Sequence, residues 1–148
     1  MQFSFRLQYD GTLFCGSQLQ NNVRTVQGDL EHSISKVFSS KIRVKLSSRT
    51  DSGVHAYFQV GTFNVNTSMT TQNMIDAINF YLSDDVEIIC IHQVQNNNFD
   101  PRGDAISRTY TYRLSDSKDL SVLYRQHVTK VKKKIDINIM KLLSKKLV

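Results

Sequence analysis

Residues 3–9, FSFRLQY, alternate Phe3, Phe5, Leu7 and Tyr9 with polar neighbours, the period-two pattern of a half-buried strand. Asp10-Gly11 follows as a turn dipeptide, and a polar stretch runs on to Arg24. Thr25 is placed to cap a helix whose apolar positions Val26, Leu30, Ile34, Val37 and Phe38 share one side. Residues 41–48 alternate through Ile42, Val44 and Leu46, which predicts a second strand. Residues 57–65 predict a third: Tyr57, Gln59, Gly61, Phe63 and Val65 lie on one face, Phe58, Val60 and Thr62 on the other. Thr70 or Thr71 caps a second helix with Met74, Ile75, Ile78 and Leu82 as its buried stripe. The β-rich run VEIICIHQV, residues 86–94, predicts a fourth strand.

The order β-α-β-β-α-β predicts an α+β fold, a ferredoxin-like sandwich of one sheet with two helices on one face. Strand-like runs at 107–114 and 122–131 predict that the antiparallel sheet is extended. The sequence divides on this reading into a ferredoxin-like domain, residues 1–115, and residues 116–148, which hold extra strand and the start of a further domain. The NNN run at 96–98 reads as an ordinary loop. Asp136 is set to cap a last helix with Ile139, Met140, Leu142, Leu143 and Leu147 on its apolar face. That pattern reaches Val148 without a glycine stop signal, so the expectation is an unpartnered face and a missing second half.

Composition narrows the class. The chain has 148 residues, 40% of them hydrophobic, with eight Phe, six Tyr and one Pro, enough for one sizeable core and unlike a disordered chain. No apolar run approaches the roughly 20 residues of a membrane span, and the first residues read as a strand rather than a signal peptide. Cys15 and Cys90 are far apart, make no metal spacing and no disulfide framework, and a reducing cytoplasmic setting is expected. Residues 1–100 hold seven Lys/Arg and nine Asp/Glu; residues 101–148 hold twelve and four. A basic tail of this kind fits a polyanionic partner such as nucleic acid, and equally a solvated lysine-rich face.

Candidate chemistry gathers at Arg49-Thr50-Asp51-Ser52-Gly53, between the second and third strands. Asp and Gly are the residues turns select, so Asp51 is on its own a turn residue. Arg49, two positions away on an extended chain, can bring a guanidinium near the Asp51 carboxylate and keep it ionised, as a nucleophile or general base requires. His55 reads as a hydrogen-bonded structural residue.

SRTDSGVHA at 48–56 resembles the segment G-R-T-D-x-G-V-H-A of the TruA-type tRNA pseudouridine synthases. Three other runs resemble that family in the same order: YDGTLFCGSQLQ at 9–20, RTVQGDLEHSISKV at 24–37 and NNNFDPRGDAISRTYTYRL at 96–114. The resemblance implies the N-terminal half of the pseudouridine synthase fold. It implies isomerisation of uridine to pseudouridine in the anticodon stem-loop of tRNA, with no cofactor and no metal. Asp51 becomes the essential carboxylate, acting on the ribose by attack or by taking a proton. Arg49 holds it and keeps the target nucleotide extruded, since chemistry on a base requires removing it from the stack. Tyr110 matches the residue that stacks on the flipped base. Arg102, Arg108 and Arg113, with the lysines at 130–134, are candidates for phosphate contacts.

The resemblance also implies a homodimer on tRNA. Ser48 stands where the pattern has glycine, Ser17 where it has tryptophan, and Asp100-Pro101 where it has histidine and a small residue. The pattern's later G-x-H-D-F and F-x-x-x-M-V-R segments are not present, so a separately encoded C-terminal half is an expected partner. The competing expectation is an RNA-binding module without chemistry, or an inactive truncated remnant.

Overall fold

The computed structural model describes residues 1–95 and 98–146. Residues 96–97 of the expected asparagine loop, and Leu147 and Val148 of the last helix, lie outside them. The chain forms two compact units, Met1–Ser107 and Arg108–Val148. That division falls earlier than the boundary after residue 115 suggested by the sequence.

The first unit is a mixed α/β layer structure. Its elements are β1 (Gln2–Tyr9), α1 (Val26–Phe38), β2 (Val44–Leu46), β3 (Ala56–Asn64), α2 (Thr71–Tyr81) and β4 (Val86–Val94), in the sequence's order. The four strands form an antiparallel sheet in the order β2-β3-β1-β4. Inward residues Phe3, Phe5, Leu7 and Tyr9 of β1 are buried in one cluster with Val26, Leu30 and Ile34 of α1 and Met74 and Ile78 of α2. Two irregularities shape the sheet. In β4 the register against β1 shifts between Arg6 and Leu7, so Ile88 and Ile91 both face the core while Cys90 sits opposite Arg6. In β3 the register shifts between Leu7 and Tyr9, next to Tyr57 and Phe58, which are exposed. Sequence alternation alone placed Tyr57 with the inward residues; the bulge breaks that alternation.

The helix ends follow their sequence signals. Thr25 Oγ1 accepts from Gly28 N (3.2 Å), and Thr70, not Thr71, caps α2 by accepting from Asn73 N (3.2 Å). Ser39 ends α1 in the left-handed region at φ 49°.

The second unit corrects an expectation. The runs at 107–114 and 122–131 do not extend the sheet: only β5 (Leu114–Ser115) and β6 (Thr129–Lys130) are strands, paired parallel in a separate two-stranded sheet. Val122–Tyr124 is a short 3₁₀ turn. Every residue from 106 to 113 is exposed, so no buried face selects one side of that stretch, and β propensity counts only on a half-buried pleated surface. The last helix, α3 (Ile137–Ser144), has its expected cap: Asp136 Oδ1 accepts from Asn138 N and Ile139 N. Its apolar residues Ile139, Met140, Leu142 and Leu143 are about half exposed.

A Cβ at Gly61 would lie 2.3 Å from the Phe5 ring, which crosses the sheet there. Gly61→Ala is therefore expected to cost about 1–3 kcal/mol by overpacking. Phe5→Leu in the same chain should recover part of that loss in urea denaturation, because the two sites share the clash.

Candidate active site

The segment carrying Asp51 leaves β2 at Leu46 and returns to the sheet at Ala56. Its tip is a tight turn: Val54 N donates to Asp51 O (3.2 Å), and Gly53 takes φ +78°, a conformation glycine adopts without strain. The sequence reading of a turn at Asp-Ser-Gly holds. The turn lies against a second loop, residues 10–17, which follows β1. Ser52 Oγ and Gly53 N both donate to Phe14 O (3.0 and 3.4 Å). Gly11 packs under the other side, where a Cβ would fall 2.0 Å from Val54 O. Gly11 N also lies 3.2 Å from His55 Nδ1, and the same ring nitrogen lies 3.0 Å from Asp10 Oδ1. His55 thus ties two loops together, the structural role its sequence context suggested. Asp10 in turn caps the short turn Gly11–Leu13 by accepting from Thr12 N (2.9 Å).

The base of the loop is fixed from within the sheet. Tyr9 donates its hydroxyl proton to Gln59 Oε1 (3.0 Å), and its oxygen lies 2.9 Å from Thr50 Oγ1. Gln59 Nε2 donates to Ser48 O. Ser17 and Thr50 make a reciprocal pair, Ser17 N to Thr50 O (3.0 Å) and Thr50 N to Ser17 Oγ (2.8 Å). Ser48 is not among the described non-glycine residues with positive φ, so serine at this glycine position carries no left-handed strain.

Asp51 itself is exposed, and so is Arg49. Among the described residues neither side chain makes a hydrogen bond or ion pair. The expected Arg49–Asp51 pairing is therefore not formed: both charges face water, where a contact contributes little. Arg102 reaches the same region from further along the chain, donating Nε to Leu46 O (3.0 Å) at the end of β2. Its segment is fastened by Gln2, whose side chain donates to Phe99 O (2.8 Å) and accepts from Phe99 N (3.2 Å). Asp100, unexpected in the sequence pattern, caps this turn by accepting from Arg102 N (3.1 Å), and Pro101 is buried. Arg108, Tyr110 and Arg113 belong to the second unit, where all three are exposed. The structure thus brings Arg49, Asp51 and Arg102 into one unit, with Arg108 and Tyr110 in the other.

Arg24 braces the far side of the 10–17 loop. Its guanidinium lies 4.2 Å from the Phe14 ring centre and pairs with Asp29 and Asp85, each at 2.9 Å. Burial disfavours its charge, but hydrogen bonds and charges from Asp29 and Asp85 outweigh that and raise its pKa. A cavity of about 630 Å³ opens beside it, lined by Arg24, Asp29, His32, Tyr81 and Asp85 among others and by no residue of the 47–55 loop. Among the described residues no group of three or more His, Cys, Asp or Glu could hold a metal, and no helix is long and apolar enough to cross a membrane.

Comparison with known proteins decides the family. The sequence model of the family described as tRNA pseudouridine synthase matches residues 7–102, a span that holds both loops and Asp51.

The chain belongs to the tRNA pseudouridine synthase family.

Relatives of that family agree. The chain is 44% identical to tRNA pseudouridine synthase A of Maridesulfovibrio salexigens, over 82% of this chain and 44% of the relative. It is 38% identical to the enzyme of the same name from Thermotoga sp. RQ2, over 91% of this chain and 55% of the relative. With the protein of that name from Borrelia turicatae it shares 35% identity, over 90% and 54% of the two chains. The chain spans about half the length of these relatives.

The buried Tyr9 hydroxyl makes a testable electrostatic contribution. Burial pushes its pKa above the usual 10.0, and its hydrogen bond with Thr50 offsets this only in part. The folded state prefers the neutral phenol, so this stabilisation is complete below pH 10 and fades as pH rises through the raised value. Denaturation from about pH 8 to about pH 12 should show wild type losing more stability above pH 10 than Tyr9→Phe. Equal slopes would contradict the burial argument.

Proposed function

We propose that this chain supplies the reacting carboxylate of a tRNA pseudouridine synthase, with Asp51 in that role. The observation that carries the reading is the contrast at the turn. The flanks of Asp51 are hydrogen-bonded to the 10–17 loop and to Tyr9 at the end of β1, while its own carboxylate is exposed and unbonded to the chain among the described residues. Such an arrangement holds a reactive group in place and leaves its lone pairs for a substrate.

In the proposed reaction the N1–C1′ bond of a uridine breaks, the base turns and C5 bonds to C1′; the C5 proton is released to solvent and N1 takes one up, so the product is an isomer of the substrate. The carboxylate acts at the ribose, in the manner of carboxylates that work on anomeric carbons. Asp51 acts either as nucleophile or as base in this scheme. Arg49 and Arg102 lie on the unit that carries Asp51; Arg49 is proposed to keep the target nucleotide extruded and Arg102 to contact phosphate, while Arg108 and Tyr110 of the second unit are proposed substrate contacts, Arg108 with phosphate and Tyr110 by stacking on the extruded base. The element order and the β2-β3-β1-β4 antiparallel sheet support assigning the first unit to the ferredoxin-like sandwich. The anticodon stem-loop is the proposed target. A homodimer, and a C-terminal half supplied as a separate chain, are the proposed partners. The alternative to be tested is a module that binds tRNA without chemistry.

Unmodified tRNA tritiated at uracil C5 separates these readings. Wild type, alone or with the C-terminal half of a relative, is expected to release tritium. Asp51→Asn should lower release by about 10²–10⁴-fold or more while leaving tRNA affinity unchanged. Wild type that binds tRNA but releases nothing in either setting would establish the binding module instead. In both cases log affinity should fall linearly with log salt, because the basic residues release counterions from phosphate.

A further inference from the structure

Thr50, the residue before Asp51, has each of its three polar atoms engaged. Its N–H donates to Ser17 Oγ (2.8 Å), its carbonyl accepts from Ser17 N (3.0 Å), and its hydroxyl meets Tyr9 Oη (2.9 Å). Proton direction in this network is determined. Tyr9 gives its proton to Gln59 Oε1, so at Thr50 it must accept, and Gln59 uses its amide N–H on Ser48 O. Tyr9, Ser17 and Gln59 are all buried, at 4%, 1% and 4% exposure. No described buried side-chain N or O atom lacks a partner. A satisfied buried network of this kind holds one geometry, because any shift leaves a polar group unpaired away from water.

None of these three side chains was singled out for function by the sequence pattern, and Ser17 departs from it. A tryptophan at that position has a donor and no acceptor to offer the Thr50 amide.

We propose that Tyr9 and Ser17 are positioning residues for Asp51, together with Gln59, which fix the backbone on its N-terminal side and thereby set the carboxylate's place. The inference rests on the reading of Asp51 as the reacting group. It adds that turnover depends on groups buried beneath the turn, within the core of the first unit. The Thr50 clamp acts on the backbone from which the Asp51 side chain departs, and Phe14 O holds the turn two residues later through Ser52 and Gly53. Between these anchors Asp51 has little backbone freedom. Misplacing a reactive group by about 1 Å can cost on the order of 10²-fold in rate.

Two variants and a control test this in the full chain. Tyr9→Phe removes one hydroxyl and keeps the ring; Ser17→Ala removes one acceptor and keeps the backbone donor. Ile78→Val, in the core on α2, loses stability without removing any hydrogen-bonding group of the network. In the tritium-release assay Tyr9→Phe and Ser17→Ala should lower kcat by about 10–100-fold with KM for tRNA nearly unchanged, and Ile78→Val should not. In hydrogen exchange, the Thr50 amide should exchange about tenfold faster or more in Ser17→Ala, and the Gly53 and Val54 amides faster in both variants. A kcat equal to that of Ile78→Val, or unchanged exchange over residues 50–54, would overturn the proposal. If wild type releases no tritium, the functional reading fails by itself, and the exchange result alone decides whether these residues fix the turn.

Discussion

The structure turns on how one threonine is held. Thr50 is bonded at its amide, carbonyl and hydroxyl, by groups from the loop after β1 and from the end of β1 itself. Each bond is modest, about 1 kcal/mol net, but every partner is buried, so losing one strands a polar atom at a cost of about 1–3 kcal/mol. This asymmetry makes the arrangement all-or-none. It also joins two of the motifs that resemble the family, residues 9–20 and 48–56, into one object. Gly11, Ser17 and Phe14 serve as the bed on which the Asp51 turn lies.

Where burial repeats with a clean period, the sequence was informative. The β1 alternation, the α1 and α2 stripes and the caps Thr25, Thr70 and Asp136 all appear in the structure, because one side of each first-unit element faces a core and capping needs only local geometry. The Asp-Ser-Gly turn was legible for the same local reason. The bulges next to Ile89 and Tyr57 were not, since a single inserted residue leaves no mark in the alternation until the partner strand is known. The strands at 107–114 and 122–131 failed differently. Val, Tyr and Thr at alternate positions are necessary for a half-buried strand, but residues 106–113 bury no face.

The candidate site was legible in one exposed residue and not in the groups that support it. Asp51 could be named from its motif. Gln59 was visible only as a polar residue on the inward face of β3, a local conflict with the pattern around it. In the folded chain that conflict resolves into the link between Tyr9 and Ser48. Ser17, which stands where the family pattern has tryptophan, is a buried two-way hydrogen-bond partner of Thr50. Arg49 was expected to pair with Asp51 and does not; both side chains remain exposed to water.

The account stands on cooperation between Tyr9 and Thr50, and a double-mutant cycle measures it most directly. Tyr9→Phe and Thr50→Val each remove one hydroxyl with little change of shape, and urea denaturation gives the stability of both single variants, the double variant and wild type. The account predicts that the double variant loses less than the sum of the single losses, with a coupling of about 0.5–3 kcal/mol. Strictly additive losses would mean that the two hydroxyls do not hold the turn together.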